Sequence, residues 1–273
     1  MKSFFKIILS HSIFVAFCAA GLTLQSFILT GTNINSSICW LIFFATLGAY
    51  NFYWILSKWS HNKKAPVIFS NYRTNLIFLL ISLVSIVDYL WQMTTIIPFV
   101  IVGILLTALY SFVALPIFKQ SIPKISPLIK TVLLASTWTF VTVVIPFNNC
   151  LHQSGLMLLI LIRFLFLMML CIIFDSRDVK MDLLLKMSSS IDKMNTITIT
   201  VLMIVVYCFY NILLINWGKS IFSETQNFIL ICSGTLAFLL YLLSFKKRGY
   251  FFYYFLVDGL MLLSSFASYI ATI

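Results

Sequence analysis

Apolar residues run along this chain in long stretches that are separated by short polar segments. Each stretch is about twenty residues long, which is the length an α-helix needs to cross the hydrocarbon core of a bilayer. The pattern predicts an all-α integral membrane protein with about nine transmembrane helices, forming a single polytopic domain over residues 1–273. The predicted spans are 5–30, 36–58, 73–91, 95–116, 128–147, 154–174, 195–217, 222–244 and 250–272. We expect the first span to be retained rather than cleaved as a signal peptide, because its apolar run continues through Leu29.

The composition agrees with this prediction and excludes a soluble domain. Hydrophobic residues make up 62% of the chain and charged residues only 9%. The net charge of +11 does not indicate nucleic-acid binding, because no basic helix lies outside the apolar runs. We therefore expect the lipid bilayer, and not a nucleic acid, to surround this protein.

The positive charges fall almost entirely on one side of the predicted membrane, and only Lys219 lies in a loop of the other side. The positive-inside rule then predicts a cytoplasmic N-terminus, a cytoplasmic position for the segment around Asp175, and a C-terminus outside. We expect the protein in a bacterial inner membrane. The basic residues of the cytoplasmic side are Lys2, Lys6, Lys58, Lys63, Lys64, Arg73, Lys119, Lys124, Lys130, Arg177, Lys180, Lys186, Lys193, Lys246, Lys247 and Arg248.

One charged stretch, residues 174–182, holds three of the seven acidic residues. Asp175, Asp178 and Asp182 are spaced i, i+3, i+7, so on a continuing helix they fall within about 60° of one another. Such a carboxylate face calls for a cation, and an all-oxygen site beside water suits Mg²⁺. The spacing alone leaves a second interpretation open, in which the segment is a solvated loop whose acids pair with nearby lysines and Arg177.

The sequence Asp-Ser-Arg-Asp-Val-Lys-Met-Asp from Asp175 to Asp182, at the end of the sixth of nine predicted helices, resembles the second aspartate-rich motif of the UbiA superfamily of intramembrane aromatic prenyltransferases. Other stretches agree with this resemblance along nearly the whole chain, although only the aspartate motif is specific. They are Leu109-Tyr110-Ser111 leading to Pro116 and Lys119, Lys130 leading to Trp138, and Tyr253 leading to Asp258-Gly259-Leu260-Met261.

The resemblance implies a fold and an activity. The fold would be a ring of nine helices around a central cavity. The activity would be transfer of an isoprenyl group from an isoprenyl diphosphate to a lipophilic, aromatic acceptor such as a quinone precursor. Asp175, Asp178 and Asp182 would be the catalytic, Mg²⁺-binding residues.

The chain departs from the family at its first aspartate motif. At the end of the second predicted span only Asn51 fits, and the three expected aspartates are replaced by Phe52, Ile55 and Trp59. One interpretation is an active enzyme with one Mg²⁺ rather than two. Its diphosphate-binding residues would be Asn51, Lys58, Lys119 and Arg177. The alternative is a non-catalytic protein of the same fold that binds a lipid or a partner.

Three further residues in the apolar spans are candidates for a role. Arg163 lies near the middle of the sixth span, where a charge is costly and normally faces the protein interior. Arg163 is therefore a candidate for contacting the acceptor or lining the cavity, and an internal structural network is the competing interpretation. Tyr110 in the fourth span is a second such candidate, and packing with a bonded hydroxyl is the competing interpretation for it. Asp258 lies in the last span, in the same half of the membrane as the aspartate segment. It is a candidate for contacting the acceptor or for bonding neighbouring helices, and we favour the structural role.

Overall fold

The computed structural model describes residues 12–61, 73–114, 127–150, 155–184, 196–246, 248–249 and 251–273, with the side chains of 57–61, 112–114, 127, 178–184 and 196 excepted. Within these residues the regular structure is helical, as predicted. The main helices are α1 Ile13–Thr30, α2 Ser36–His61, α3 Arg73–Gln92, α4 Ile97–Ala114, α5 Pro127–Thr139, α6 Leu156–Leu184, α7 Thr196–Leu213, α8 Glu224–Leu243 and α9 Asp258–Ile270.

Short helical turns of other pitch extend four of these helices. A 3-10 turn, Thr94–Ile96, precedes α4, and π-helical turns at Phe140–Val144 and Leu214–Gly218 continue α5 and α7. A third π turn, Phe252–Val257, leads directly into α9. Each π turn holds one extra residue per turn, so it rotates the face of the helix that follows.

Eight helices within the described residues are long and apolar enough to cross a membrane, which fits a membrane protein. The segment that corresponds to the predicted fifth span is shorter, Leu128–Val144, and does not reach that length. Its helix ends just before Pro146, which has no backbone N–H to continue the helical hydrogen bonds. α6 continues ten residues past the predicted end at residue 174, since no proline or glycine interrupts it before Leu184.

Local chemistry fixes where several helices begin and end. α1 ends at Gly31, which adopts a positive φ of 65° and whose N–H bonds the carbonyl oxygen of Ile28. α8 begins at Ser223, whose side chain accepts a hydrogen bond from the N–H of Gln226, and Glu224 lies favourably in its first turn.

The helices pack in the order of the chain. Each long helix contacts the next one, with α3 and α4 linked through the 3-10 turn Thr94–Ile96, and α9 packs extensively against α1. α6 is the most buried of the candidate spans and also contacts α1 and α8.

Polar side chains tie the first, sixth and last helices together inside the apolar core. Gln25 of α1 accepts a hydrogen bond from Arg163 of α6 at 2.7 Å and donates to the hydroxyl oxygens of Ser264 and Ser268 of α9, each at 2.9 Å. All four side chains are buried. In an apolar interior such groups have to bond one another, so this network determines how α1, α6 and α9 align.

The contact between α7 and α8 depends on a glycine. A Cβ atom added at Gly234 would lie 2.3 Å from a ring carbon of Tyr210, which is fully buried and donates its hydroxyl to the Leu230 carbonyl at 2.8 Å. We expect Gly234→Ala to destabilise the detergent-purified protein by about 1–3 kcal/mol, because the Tyr210 ring has to move.

Thermal unfolding would measure this loss. Gly249→Ala is the matched control, since no atom of the described residues lies within 4 Å of a Cβ built there. An equal melting temperature for Gly234→Ala and wild type would contradict the close approach of α7 and α8.

Candidate functional site

The acidic stretch of residues 174–182 is helical, because α6 runs without a break to Leu184. The backbone therefore has the geometry that a single carboxylate face requires, and a loop conformation for this segment is excluded. Asp175 is half-buried, and its Oδ2 accepts a hydrogen bond from the hydroxyl of the buried Thr131 on α5. The side chains of Asp178 and Asp182 lie outside the described residues.

Arg177, two residues further along α6, lies against three aromatic rings. Its guanidinium carbon is 5.4 Å from the ring centroid of Phe174, 5.3 Å from that of Tyr253 and 5.5 Å from that of Tyr254. Nη1 also donates a hydrogen bond of 3.2 Å to the Tyr254 hydroxyl. Cation–π attraction and this bond hold the guanidinium at the end of α6 beside the start of α9.

The π turn Phe252–Val257 brings these rings to Arg177. Tyr253 and Tyr254 lie within the turn, and Asp258 is the first residue of the α-helix that follows it. Asp258 is 9% exposed and lies within electrostatic range of Arg177. The turn therefore brings two aromatic rings against the guanidinium, and the helix that follows it begins at a carboxylate within electrostatic range.

Asp175 and Asp258 approach the same part of the interior from different helices. Both carboxylates lie within electrostatic range of the Cys171 thiol, one turn before Asp175 on α6. The backbone carbonyl of Asp258 accepts a hydrogen bond from Cys18 Sγ at 3.3 Å, which joins this group to α1. Two acidic side chains and one basic side chain are thus gathered near the end of α6.

Two tyrosines complete the group from α2 and α4. Tyr50 of α2 lies within electrostatic range of Asp258, Cys171 and Tyr110 of α4, and its ring meets Trp138 of α5 edge-on with centroids 6.3 Å apart. Tyr110 is half-buried. We call Tyr50, Tyr110, Asp175, Arg177 and Asp258 the acidic-end cluster.

Asn51, which occupies the first-motif position, is completely buried. Its Nδ2 donates to the Leu47 carbonyl at 2.8 Å, one turn earlier in α2. Its neighbour Tyr50 lies within electrostatic range of Asp258.

The structure brings some of the predicted site residues together. Asp175, Arg177 and Tyr110 belong to the acidic-end cluster. Arg163 does not: it is twelve residues before Asp175 in the same helix, a rise of about 18 Å. The side chains of Lys58, Lys119, Asp178 and Asp182 lie outside the described residues, so their roles remain predictions.

Sequence reasoning missed part of the cluster. Tyr50 is not predicted from the sequence, and Asp258 is predicted only as a residue with a favoured structural role. Thr131 and Tyr254, which bond the cluster members Asp175 and Arg177, are not predicted either. An acidic residue in an otherwise apolar span was the available signal for Asp258. No sequence pattern reveals Tyr50 or Tyr254, because their relevance depends on the π turn and on helix packing.

No family model, curated protein or solved structure matches this chain. Among the described residues, no three His, Cys, Asp or Glu side chains form a group that could hold a metal ion. The Mg²⁺ site that the resemblance implies is therefore a prediction that depends on Asp178 and Asp182.

The hydrogen bond between Thr131 and Asp175 can be tested by a double-mutant cycle. We expect the free energies of unfolding of Thr131→Ala and Asp175→Asn to be non-additive by about 1 kcal/mol, because each change removes the same bond. Chemical unfolding of the four proteins in detergent measures the coupling.

Thr137→Ala provides the matched control. Thr137 is buried on the same helix, but its hydroxyl bonds the Leu133 carbonyl of its own backbone. Thr137→Ala is combined with Asp175→Asn in a second cycle, which we expect to be additive. If the Thr131 cycle is additive as well, the contact between α5 and Asp175 is absent.

Proposed function

We propose that this protein is a membrane-embedded prenyltransferase of the UbiA kind. It transfers an isoprenyl group from an isoprenyl diphosphate to a lipophilic, aromatic acceptor of the quinone-precursor class. The reaction takes place at the acidic-end cluster, which in this proposal faces the cytoplasm of a bacterium. The observation that carries the proposal is the convergence of Asp175, Arg177 and Asp258 with tyrosines from three further segments at one end of an apolar bundle.

The packing order of the helices supports the proposed architecture. Successive long helices contact one another, and α9 returns to pack against α1. This order is what a closed ring requires. The segment Leu128–Val144 would serve as the ninth crossing, although it is shorter than the other eight candidate spans within the described residues.

Oxygen-bearing side chains near the end of α6 support the proposed divalent cation, although among the described residues no three His, Cys, Asp or Glu side chains form a group that could hold it. The polar groups around Asp175 offer oxygen atoms: the carboxylates of Asp175 and Asp258, the Thr131 hydroxyl and the Tyr50 phenol. Mg²⁺ is usually held by one or two carboxylates, with water and phosphate oxygens as its other ligands. In this proposal Asp175, Asp178 and Asp182 hold one Mg²⁺, which supplies neutralising charge for the diphosphate.

Arg177 suits the binding of a diphosphate. A guanidinium presents five N–H donors in a planar fork that matches phosphate oxygens. The rings of Phe174, Tyr253 and Tyr254 fix its orientation before any ligand binds. We propose that Arg177 binds the diphosphate, with Lys58 and Lys119 as further cationic partners and Asn51 as a polar one.

The aromatic surroundings suit the transfer step. As the bond between the allylic carbon and the diphosphate oxygen breaks, the electron pair leaves with the diphosphate and a carbocation develops. The acceptor then forms the new bond to that carbon and loses a proton. Tyr50, Tyr110 and Trp138 supply ring faces near the cluster, and such faces stabilise a cation and exclude water.

A second candidate function is favoured by the first-motif region. Asn51 donates a hydrogen bond to its own helix, and Phe52 is 51% exposed where the family has an aspartate. An apolar surface of this kind suits contact with lipid or with another membrane protein. This alternative is a non-catalytic protein that uses the same fold to bind a lipid or a partner.

Calorimetric titration with geranyl and farnesyl diphosphate separates the two functions. We expect Mg²⁺-dependent binding to the purified protein, and its loss in Asp178→Asn, because removal of one carboxylate charge weakens the hold on the cation. Asp88→Asn is the matched control, and we expect it to bind as the wild type does. Asp88 is an exposed carboxylate in the last turns of α3, where it accepts a hydrogen bond from Gln92. Absence of binding to either diphosphate would favour the non-catalytic alternative.

The role of Arg177 can be measured in the same assay. We expect Arg177→Gln to weaken diphosphate binding by about tenfold or more, because a charge-assisted hydrogen bond is lost. Arg248→Gln is the control, because it removes an equal charge from an exposed side chain. Like Arg177, Arg248 lies over an aromatic ring: its guanidinium carbon is 5.5 Å from the ring centroid of Phe252. Equal weakening in both variants would indicate unspecific attraction and would exclude a specific role for Arg177.

A further inference from the structure

Arg163 carries a positive charge that the described part of the chain does not neutralise. It is 3% exposed, and its hydrogen bonds go to neutral acceptors: Gln25 Oε1 at 2.7 Å, the Leu22 carbonyl at 3.1 Å and the Ser26 hydroxyl at 3.2 Å. The one ionisable group of the described residues within electrostatic range is the Tyr210 phenol, and its hydroxyl donates to the Leu230 carbonyl. An arginine keeps its proton in proteins, so a buried cation here calls for a negative partner.

A small cavity adjoins this charge. Its volume is about 10 Å³, enough for a single particle close to the size of a water molecule. Side chains from five helices line it: Gln25 of α1, Arg163 of α6, Tyr210 of α7, Leu230 of α8 and Ser264 of α9 contribute. The cavity is far smaller than the several hundred Å³ typical of organic ligand sites, so it cannot hold an isoprenyl chain.

Two groups that line the cavity have donor capacity that no described residue uses. Arg163 Nε is buried and has no hydrogen-bond partner within the described residues. The Ser264 hydroxyl oxygen accepts a hydrogen bond from Gln25 Nε2 at 2.9 Å and shares the single hydrogen of the Ser233 hydroxyl, 2.9 Å away, with the Ile229 carbonyl. The hydrogen of Ser264 has no acceptor among the described residues. Donors without acceptors, beside a surplus positive charge, are suited to an anion.

We propose that this cavity is a binding site for one monatomic, monovalent anion of the halide class. A water molecule would satisfy the hydrogen bonds but would leave the guanidinium charge without a partner. A halide ion does both, and the apolar side chains of Leu159, Ile162 and Phe166 line the rest of the cavity. The site lies about 18 Å along α6 from Asp175, so it is independent of the proposed prenyl transfer.

An anion at this position stabilises the fold, because it neutralises the Arg163 charge inside a cavity that five helices line. Anything that binds only the folded state raises the unfolding temperature as its concentration increases. The experiment uses the full chain in detergent and replaces gluconate with chloride, or with bromide, at constant ionic strength. We expect the melting temperature to rise with halide and to saturate, which gives an apparent affinity for each ion.

Two variants and a control test the assignment. We expect Arg163→Gln to abolish the halide response and Ser264→Ala to weaken the apparent affinity by about tenfold, the usual effect of losing one hydrogen bond to a charged group. Lys219→Gln, which removes an exposed charge outside the core, should leave the affinity unchanged. If Arg163→Gln does not fold, Ser264→Ala decides the matter.

Three results would overturn the proposal. The first is a wild-type melting temperature that does not respond to halide, which would indicate a buried water molecule instead. The second is an unchanged affinity in Ser264→Ala. The third is a halide response in Arg163→Gln as large as that of the wild type.

Discussion

The bilayer interior offers no water to a polar group, and this constraint governs the structure. The backbone meets it by forming helices. Polar side chains meet it by bonding one another across helices, as Arg163, Gln25, Ser264 and Ser268 do. Because these bonds connect α1, α6 and α9, helices distant in the chain are held in one arrangement. Packing of apolar side chains alone would fix their rotation less strictly, since lipid and leucine surfaces are similar.

The two buried or half-buried arginines of α6 illustrate two solutions to the same problem. Arg163 is surrounded by amide and hydroxyl oxygens in the core, while Arg177 lies against the faces of aromatic rings near the end of the span. The first arrangement lies in the core and has room for one small particle. The second lies where the helix leaves the apolar region and has Asp258 within range. A charged, phosphate-bearing substrate could reach the second arginine but not the first.

The π turn before α9 connects packing with the proposed chemistry. Its extra residue rotates Tyr253 and Tyr254 towards Arg177 and starts the following α-helix at Asp258. Such turns cost helical regularity and are frequent at functional sites. The same last helix packs against α1 and contributes Ser264 and Ser268 to the core network. Changes in α9 would therefore affect both ends of the bundle.

The sequence by itself determined the class of fold and the approximate position of each helix, because twenty-residue apolar runs have few alternatives in a membrane. It also pointed to Asp175, Arg177 and Arg163 as charged residues that need explanation, and to Tyr110 as a candidate for contacting the acceptor. Only the tertiary structure joined Tyr50 and Asp258 to the acidic-end cluster and bonded Thr131 to Asp175. The physical reason is that spacing along one helix fixes which of its residues share a face, whereas helix rotation, π turns and interhelical hydrogen bonds decide which faces meet.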